Sequence, residues 1–375
     1  MKELQQIIQA FEQANEKQQK TALATVVHVE GSSYRGPGAR MLITETGLLT
    51  GAISGGCLEG DALRKALAVM MQGKPMLATY DTSDEEDAVI GVGLGCNGII
   101  RVLIEPVLPE HAANPIALLR QVVRKRAPSV LLTFFSLHHK WDEQQGTRLL
   151  LKADGTTLET GSLPAAALPD AAAALANKNT AFIEYPGRLS AFVEYMAPPI
   201  ALVVAGAGND VLPLVQMAAV LGWDVTLADG RPNYASTRRF PGCRLVVADP
   251  AAALRELVID SQTAVVLMSH NYNYDKAMLK SLLQLPAGYI GMLGPKKKLA
   301  RMQAELEEEG ITFTRERSAR VYSPVGLDIG ADTAEEIALA VLAEIKAVFA
   351  GKKGDSLRQA TGSIHERKTE IVAKK

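Results

Sequence analysis

The chain has 375 residues, 40 Lys and Arg against 41 Asp and Glu, and 47% hydrophobic residues. That length predicts two domains, each able to bury its own core. The near-zero net charge offers no field suited to nucleic acid or an anionic membrane, and 5% aromatic residues argue against a base-stacking surface.

Residues 2–16 read as an amphipathic helix, with Leu4, Ile7, Ile8 and Phe11 at helical spacing. The first residues lack the apolar run of a secretory signal. The longest apolar stretch, residues 200–223, is interrupted by Asn209, Asp210 and Pro213, which disfavours a membrane span. A cytoplasmic location is expected. Residues 21–29 read as a buried strand, and 39–44 with 48–53 as a hairpin around Glu45-Thr46-Gly47. A helix follows Cys57, with Leu58, Ala62, Ala66 and Met70 on one face, and strands are expected at 76–80 and 99–105. Further on, 116–125 and 165–176 read as helices. Residues 129–135, 149–152, 156–158, 181–185 and 191–196 read as strands.

Pro198-Pro199 marks a boundary. Beyond it six strands, at 200–205, 224–228, 243–248, 263–269, 289–293 and 319–323, alternate with helices, the last at 334–349 behind a capping box, Thr333-Ala-Glu-Glu336. That alternation predicts an α/β fold with a Rossmann-type, doubly wound parallel sheet, beside an N-terminal mixed α/β domain. The expected domains are 1–197 and 198–350. Residues 351–375, with seven Lys/Arg against three Asp/Glu, read as a flexible tail.

The chemistry gathers in glycine loops. Gly206-Ala-Gly208-Asn209 follows a strand and opens a helix, the context in which backbone N–H groups receive a phosphate. Val211 stands where a third glycine is usual. Asp229 ends the next strand 21 residues after Gly208, where an acid accepts ribose hydroxyls. His270, Gly294, Lys296 and Lys297 follow later strands and reach the same rim, so NAD(P) or another nucleotide is a candidate ligand. The alternative is a Rossmann domain kept for architecture alone.

In the first half, Gly55 and Gly56 precede Cys57 at a helix start, a setting that favours thiolates, and Cys96 lies in a second glycine loop. Both thiols are candidate reactive groups, and together they predict a shared site. Arg35 and Arg40 flank Gly36-Pro37-Gly38 and are candidate anion contacts. The bland reading is two packed cysteines in tight turns. With Cys243 the count is odd and widely spaced, which fits neither a disulfide framework nor a structural zinc site.

Four segments together resemble the XdhC/CoxI family: Ser54-Gly-Gly-Cys57-Leu-Glu59-Gly, Gly95-Cys96-Asn-Gly98, Gly291-Met-Leu-Gly294, and the long run from Pro324 through Asp328, Gly330, Asp332 and Glu335 to Ile337. The resemblance covers nearly the whole chain, most weakly residues 108–197 and the tail. It implies an accessory protein of xanthine dehydrogenase and related molybdenum hydroxylases. Such a protein binds molybdenum cofactor (molybdopterin), protects it while the metal gains a terminal sulfur, and delivers it to the apo-enzyme. On that reading Cys57 contacts molybdenum or the transferred sulfur, a cysteine desulfurase is a partner, and a homodimer is expected. Asn209 and Val211 depart from the family pattern. Two rival classes remain open: an NAD(P)-dependent oxidoreductase using His270 or Cys57, and a non-catalytic adaptor between desulfurase and hydroxylase.

Overall fold

A computed structural model of the chain describes residues 1–82, 98–137 and 144–359, and the backbone of 370–373. The chain forms two compact units, Met1–Pro198 with Ala360–Lys375, and Pro199–Gln359.

The first unit opens with α1 (Lys2–Glu16), which buries Leu4, Ile7, Ile8 and Phe11 as their spacing predicts. β1 (Thr21–Gly31), β2 (Arg40–Thr44), β3 (Leu49–Gly51), α2 (Glu59–Gln72), β4 (Met76–Asp81) and β5 (Gly98–Val107) follow. Among the described residues these strands form a five-stranded antiparallel sheet in the order β3-β2-β1-β5-β4. Side-chain alternation along β1 divides its two faces. Ala22, Ala24 and Val26 join Ala62, Ala66 and Val69 of α2 in one core, while Leu23 packs with α1 in another.

The same unit continues with α3 (Pro115–Arg124), β6 (Ser129–Phe135), β7 (Gly146–Lys152), β8 (Thr157–Glu159), α4 (Ala167–Asn177), β9 (Ala181–Tyr185) and β10 (Leu189–Met196). They build a second sheet in the order β9-β10-β6-β7-β8.

The second unit contains β11 (Ala201–Ala205), α5 (Val211–Leu221), β12 (Asp224–Ala228), β13 (Arg244–Val246), α6 (Pro250–Glu256), β14 (Thr263–Leu267), α7 (Tyr272–Leu282), β15 (Tyr289–Met292), α8 (Lys296–Glu308), α9 (Arg315–Ser318), β16 (Val321–Tyr322) and α10 (Ala334–Phe349). All its strand pairs are parallel, in the order β13-β12-β11-β14-β15-β16. The order reverses between β11 and β14, which is where a doubly wound sheet opens a ligand crevice. The six strands and the capping box of α10 match the sequence reading. One expectation differs: no helix joins β12 to β13. Residues 229–243 make turns instead, because Gly230, Pro232, Pro241 and Gly242 punctuate them.

The tail also differs from expectation. Its last described stretch, β17 (Glu370–Ala373), lies parallel to β9 and extends the first unit's second sheet. An edge strand leaves a row of backbone donors and acceptors open, and a short strand from the terminus satisfies them. Among the described residues no helix is long and apolar enough to cross a membrane.

Candidate functional site

In the first unit, residues 54–58 form a tight loop between the buried Ile53 and α2. Its organiser is Glu59. One carboxylate oxygen accepts the Ser54 amide at 2.8 Å; the other accepts the Ser54 hydroxyl and, at 3.1 Å, the Leu58 amide. Ser54 Oγ in turn accepts the amides of Gly56 (3.2 Å) and Leu58 (3.1 Å) and the Cys57 thiol (3.4 Å). Burial works against the Glu59 charge, but these hydrogen bonds outweigh it and hold the carboxyl below the ordinary glutamate range. The amides expected to converge on Cys57 are therefore directed to Ser54 and Glu59.

The glycines beside the thiol have separate reasons. Gly56 sits at φ +111, and a Cβ there would meet nothing within 4 Å, so the loop faces open space. Gly55 lies under the Tyr34 ring, where a Cβ would come within 3.4 Å of it. Cys57 is half-buried and its sulfur is not in a disulfide. Cys96 falls in residues 83–97, outside the described residues, and the expected pairing of the two thiols falls outside them with it. The described residues flanking that stretch are joined: Thr82 Oγ1 donates to the Gly98 carbonyl at 2.7 Å and accepts its amide at 3.0 Å. A Cβ on Gly98 would lie 2.3 Å from the Ser32 carbonyl oxygen, which fixes glycine at the start of β5.

Neither arginine behaves as a free anion contact. Arg35 pairs with Glu3 of α1, its Nη2 lying 2.8 and 2.9 Å from the two carboxylate oxygens. Arg40 is 2% exposed and pairs with Glu194 of β10. Register explains Arg40: it lies opposite Thr25 in β2, so alternation turns it towards the second sheet rather than to the loop. A charge placed there needs a buried partner, and Glu194 provides one.

In the second unit the glycine loop stands at the end of β11. Gly206 has φ +126, and a Cβ would lie 2.5 Å from the Met268 carbonyl oxygen. Over Gly208 lies Asp210, whose Oδ1 would be 2.2 Å from a Cβ. Val211 is fully buried in the core against β11 and β12, so the position of the usual third glycine is filled by packing. Asp229 is buried as expected at the end of β12, yet its oxygens are engaged within the chain. Oδ2 accepts the Ala207 amide and Arg231 Nη2, both at 2.8 Å; Oδ1 accepts the Arg231 amide (2.8 Å) and Nε (3.0 Å). Desolvation opposes its charge, but Arg231 and the Ala207 amide outweigh it and keep the carboxyl below the ordinary aspartate range. Asn209 accepts Arg239 Nη2 at 2.8 Å, and Arg239 Nη1 also reaches the Ala207 carbonyl at 2.7 Å.

His270 takes a left-handed backbone conformation, φ 56, and its Nε2 lies 2.8 Å from Asp210 Oδ2. It thus joins the end of β14 to the glycine loop. Lys296 and Lys297 are exposed on the first turn of α8. The lysine that turns inward is Lys298, one helical turn beyond Gly294. It reaches the fully buried Asp275 at 2.7 Å and the Leu293 carbonyl at 3.0 Å.

The structure therefore brings together Gly206, Gly208, Asn209, Asp229 and His270, and separately Gly55, Gly56 and Cys57. Sequence reasoning passed over Ser54 and Glu59 as loop organisers, and Arg231, Arg239, Asp275 and Lys298 in the second unit. A signal existed for some of them. Ser54 and Glu59 bracket the glycines, and Arg231 stands two residues after the expected acid. Arg239 carried none, because its reach depends on the turns of residues 229–243.

The description "XdhC Rossmann domain" matches residues 202–345, and "XdhC and CoxI family" matches residues 14–81. The chain is 32% identical over 331 residues to a protein of Bacillus subtilis described as a probable xanthine dehydrogenase subunit, covering 88% of this chain and 93% of that one. It is 25% identical over 334 residues to the molybdenum cofactor insertion chaperone PaoD of Escherichia coli, covering 89% of this chain and 85% of the other. A crystal structure described as a xanthine dehydrogenase from Bacillus halodurans superposes with TM-score 0.73 at 30% identity, over 95% of this chain and 98% of that one.

Proposed function

This chain belongs to the XdhC and CoxI family, and we propose that it is an accessory protein that binds molybdenum cofactor and inserts it into a xanthine dehydrogenase-type hydroxylase. The similarity to a molybdenum cofactor insertion chaperone over 89% of the chain supports the class of function. The observation that carries the site is the Cys57 loop: a thiol on a latched turn beside a glycine with nothing within 4 Å of its Cβ position.

The residues suit this cargo. Bound there, the cofactor brings a thiophilic metal with a dithiolene and a phosphate-bearing pterin. Cys57 supplies a soft sulfur donor to the metal, or accepts sulfane sulfur from a desulfurase persulfide, whose own cysteine leaves as the thiolate. Gly55 and Gly56 keep side chains out of the way, and Ser54 and Glu59 hold the turn, with the half-buried thiol donating to Ser54 Oγ and packed at the edge of the core. The sulfur source is a cysteine desulfurase partner, and the recipient is an apo-hydroxylase. The second unit binds a phosphate-bearing ligand at the glycine loop between β11 and α5, at the start of a helix.

The test is copurification. Wild-type protein should carry molybdenum and pterin fluorescence when isolated from cells making the cofactor. Cys57→Ser should fold normally, because only one side-chain hydrogen bond, to Ser54, is altered. It should lose molybdenum and fail to activate the hydroxylase. Wild-type molybdenum content and client activity in that variant would reject the role of Cys57. Steady nicotinamide turnover by the purified chain would reject the chaperone reading in favour of an oxidoreductase.

A further inference from the structure

The acid at the end of β12 is the residue a Rossmann fold ordinarily offers to a ribose diol. Here that capacity is already used. A carboxylate presents about four acceptor sites. Asp229 fills them with the Ala207 amide, the Arg231 amide, and Nε and Nη2 of Arg231. A diol would have to displace an arginine held by a bidentate, charge-assisted pair.

The cations around the loop tell the complementary story. Arg231 is half-exposed, and two of its five N–H donors are on Asp229. Among the described residues, Arg239 donates hydrogen bonds only to neutral acceptors, namely the carbonyls of Ala207 and Tyr234 and the Asn209 side chain. Its charge is therefore not cancelled. Both guanidiniums border one ring, 4.1 and 5.6 Å from the Tyr234 centroid. They also bracket the same residue: Asp229, locked to Arg231, accepts the Ala207 amide, and Arg239 donates to the Ala207 carbonyl. Two arginines thus stand beside the glycine loop, and Arg231 is paired with Asp229. The next acid, Asp210, is engaged by His270.

We propose that Arg231 and Arg239 form a receptor for a phosphomonoester dianion, so that this crevice selects a ligand by a terminal phosphate rather than by a free ribose diol. The inference deepens the phosphate-ligand reading of the second unit and does not depend on Cys57. Two ligand classes carry such a group: a nucleotide with a 2′-phosphorylated ribose, and a phosphorylated pterin. Planar guanidinium forks match phosphate oxygens in pairs, so the phosphate carries the discrimination.

The experiment titrates the full chain by fluorescence and calorimetry with two ligand pairs. One is NADPH against NADH; the other is an oxidised pterin phosphate against its dephosphorylated form. Each pair differs by one phosphomonoester. In at least one pair the phosphorylated member should bind about tenfold tighter or more, as expected for a new charge-assisted bidentate contact. The pair that shows it names the source. Arg231→Gln should abolish that preference and, by freeing Asp229, tighten NADH binding; a merely structural arginine would not produce that inversion. Arg239→Gln should weaken the phosphorylated ligand alone. Arg231→Lys keeps charge without the fork and should give an intermediate ratio, which guards against misfolding of the glutamine variant. Equal affinity within both pairs, a preference that survives both glutamine substitutions, or no binding of any of the four ligands would overturn the proposal. Molybdenum content of the same preparations reports separately on Cys57.

Discussion

Gly206→Ala is the sharpest test of how the second unit holds its glycine loop. At φ +126 an alanine is strained by about 1–3 kcal/mol before any contact is counted. Its Cβ would also meet backbone, 2.5 Å from the Met268 carbonyl oxygen and 2.7 Å from the Met268 carbonyl carbon and Ser269 Cα. Backbone cannot rotate away. Relief requires β11 and β14 to part at their ends, which strains the Met268-to-Ala205 and Gly206-to-Ala228 hydrogen bonds, each worth about 1 kcal/mol. Together these give an expected loss of about 3 kcal/mol or more. Gly208→Ala provides the contrast, because its Cβ would meet the far end of the Asp210 side chain at 2.2 Å. That carboxylate can swing aside, so stability should fall by less than about 1 kcal/mol while the His270 contact is lost. Urea unfolding, followed by Trp223 fluorescence with Trp141 replaced by Phe and by circular dichroism, measures both. A Gly206→Ala loss below about 1 kcal/mol, or equal losses at the two glycines, would refute the steric argument.

Three further outcomes are expected. Glu105 is fully buried, and desolvation raises its carboxyl above the ordinary range despite hydrogen bonds from the Thr147 amide and hydroxyl. A raised carboxyl stabilises the fold below its unfolded value and loses that contribution as pH rises through the folded one, so Glu105→Gln should flatten the decline in melting temperature between mildly acidic and neutral pH. Glu59 has the opposite sign: its lowered carboxyl stabilises above the ordinary glutamate range and loses this as pH falls through the folded value, so wild-type should shed loop protection in acid. In Glu59→Ala the amides of Ser54 and Leu58 should exchange hydrogen rapidly at neutral pH, and protection equal to wild type would dismiss the latch. Glu194→Gln leaves the Arg40 charge buried and should cost about 3 kcal/mol or more in urea unfolding.

The parallel half was legible because its strands are short apolar runs separated by helices, a pattern that few folds share. Chain-local features, such as the Thr333–Glu336 capping box, were equally visible. What escaped were long-range pairings. Arg40 reads as a loop cation in sequence, but its partner Glu194 is 154 positions away. The strand at Glu370–Ala373 reads as tail because its stability comes from the β9 edge and not from its own four residues. The missing helix between β12 and β13 was in principle readable from the glycines and prolines of residues 229–243, which the regular alternation outweighed.

The candidate sites were legible as loops but not as electrostatic arrangements. In both, the decisive residue is an acid that serves the loop rather than the ligand. Glu59 takes the amides of Ser54 and Leu58, and Asp229 takes those of Ala207 and Arg231. The Ser54 hydroxyl and amide hold the Glu59 carboxyl below its ordinary range, and the Arg231 guanidinium with the backbone amides does the same for Asp229, so each remains charged at neutral pH and keeps its turn closed. A sequence motif names the acid by position and assigns it to the ligand by habit. Acceptor counting reverses the assignment. Once the carboxylate is committed inward, what remains beside the loop is a half-buried thiol next to Gly56 in one unit and two arginines at Tyr234 in the other. Those groups are suited to a soft metal or sulfur in the first unit and to a phosphate in the second.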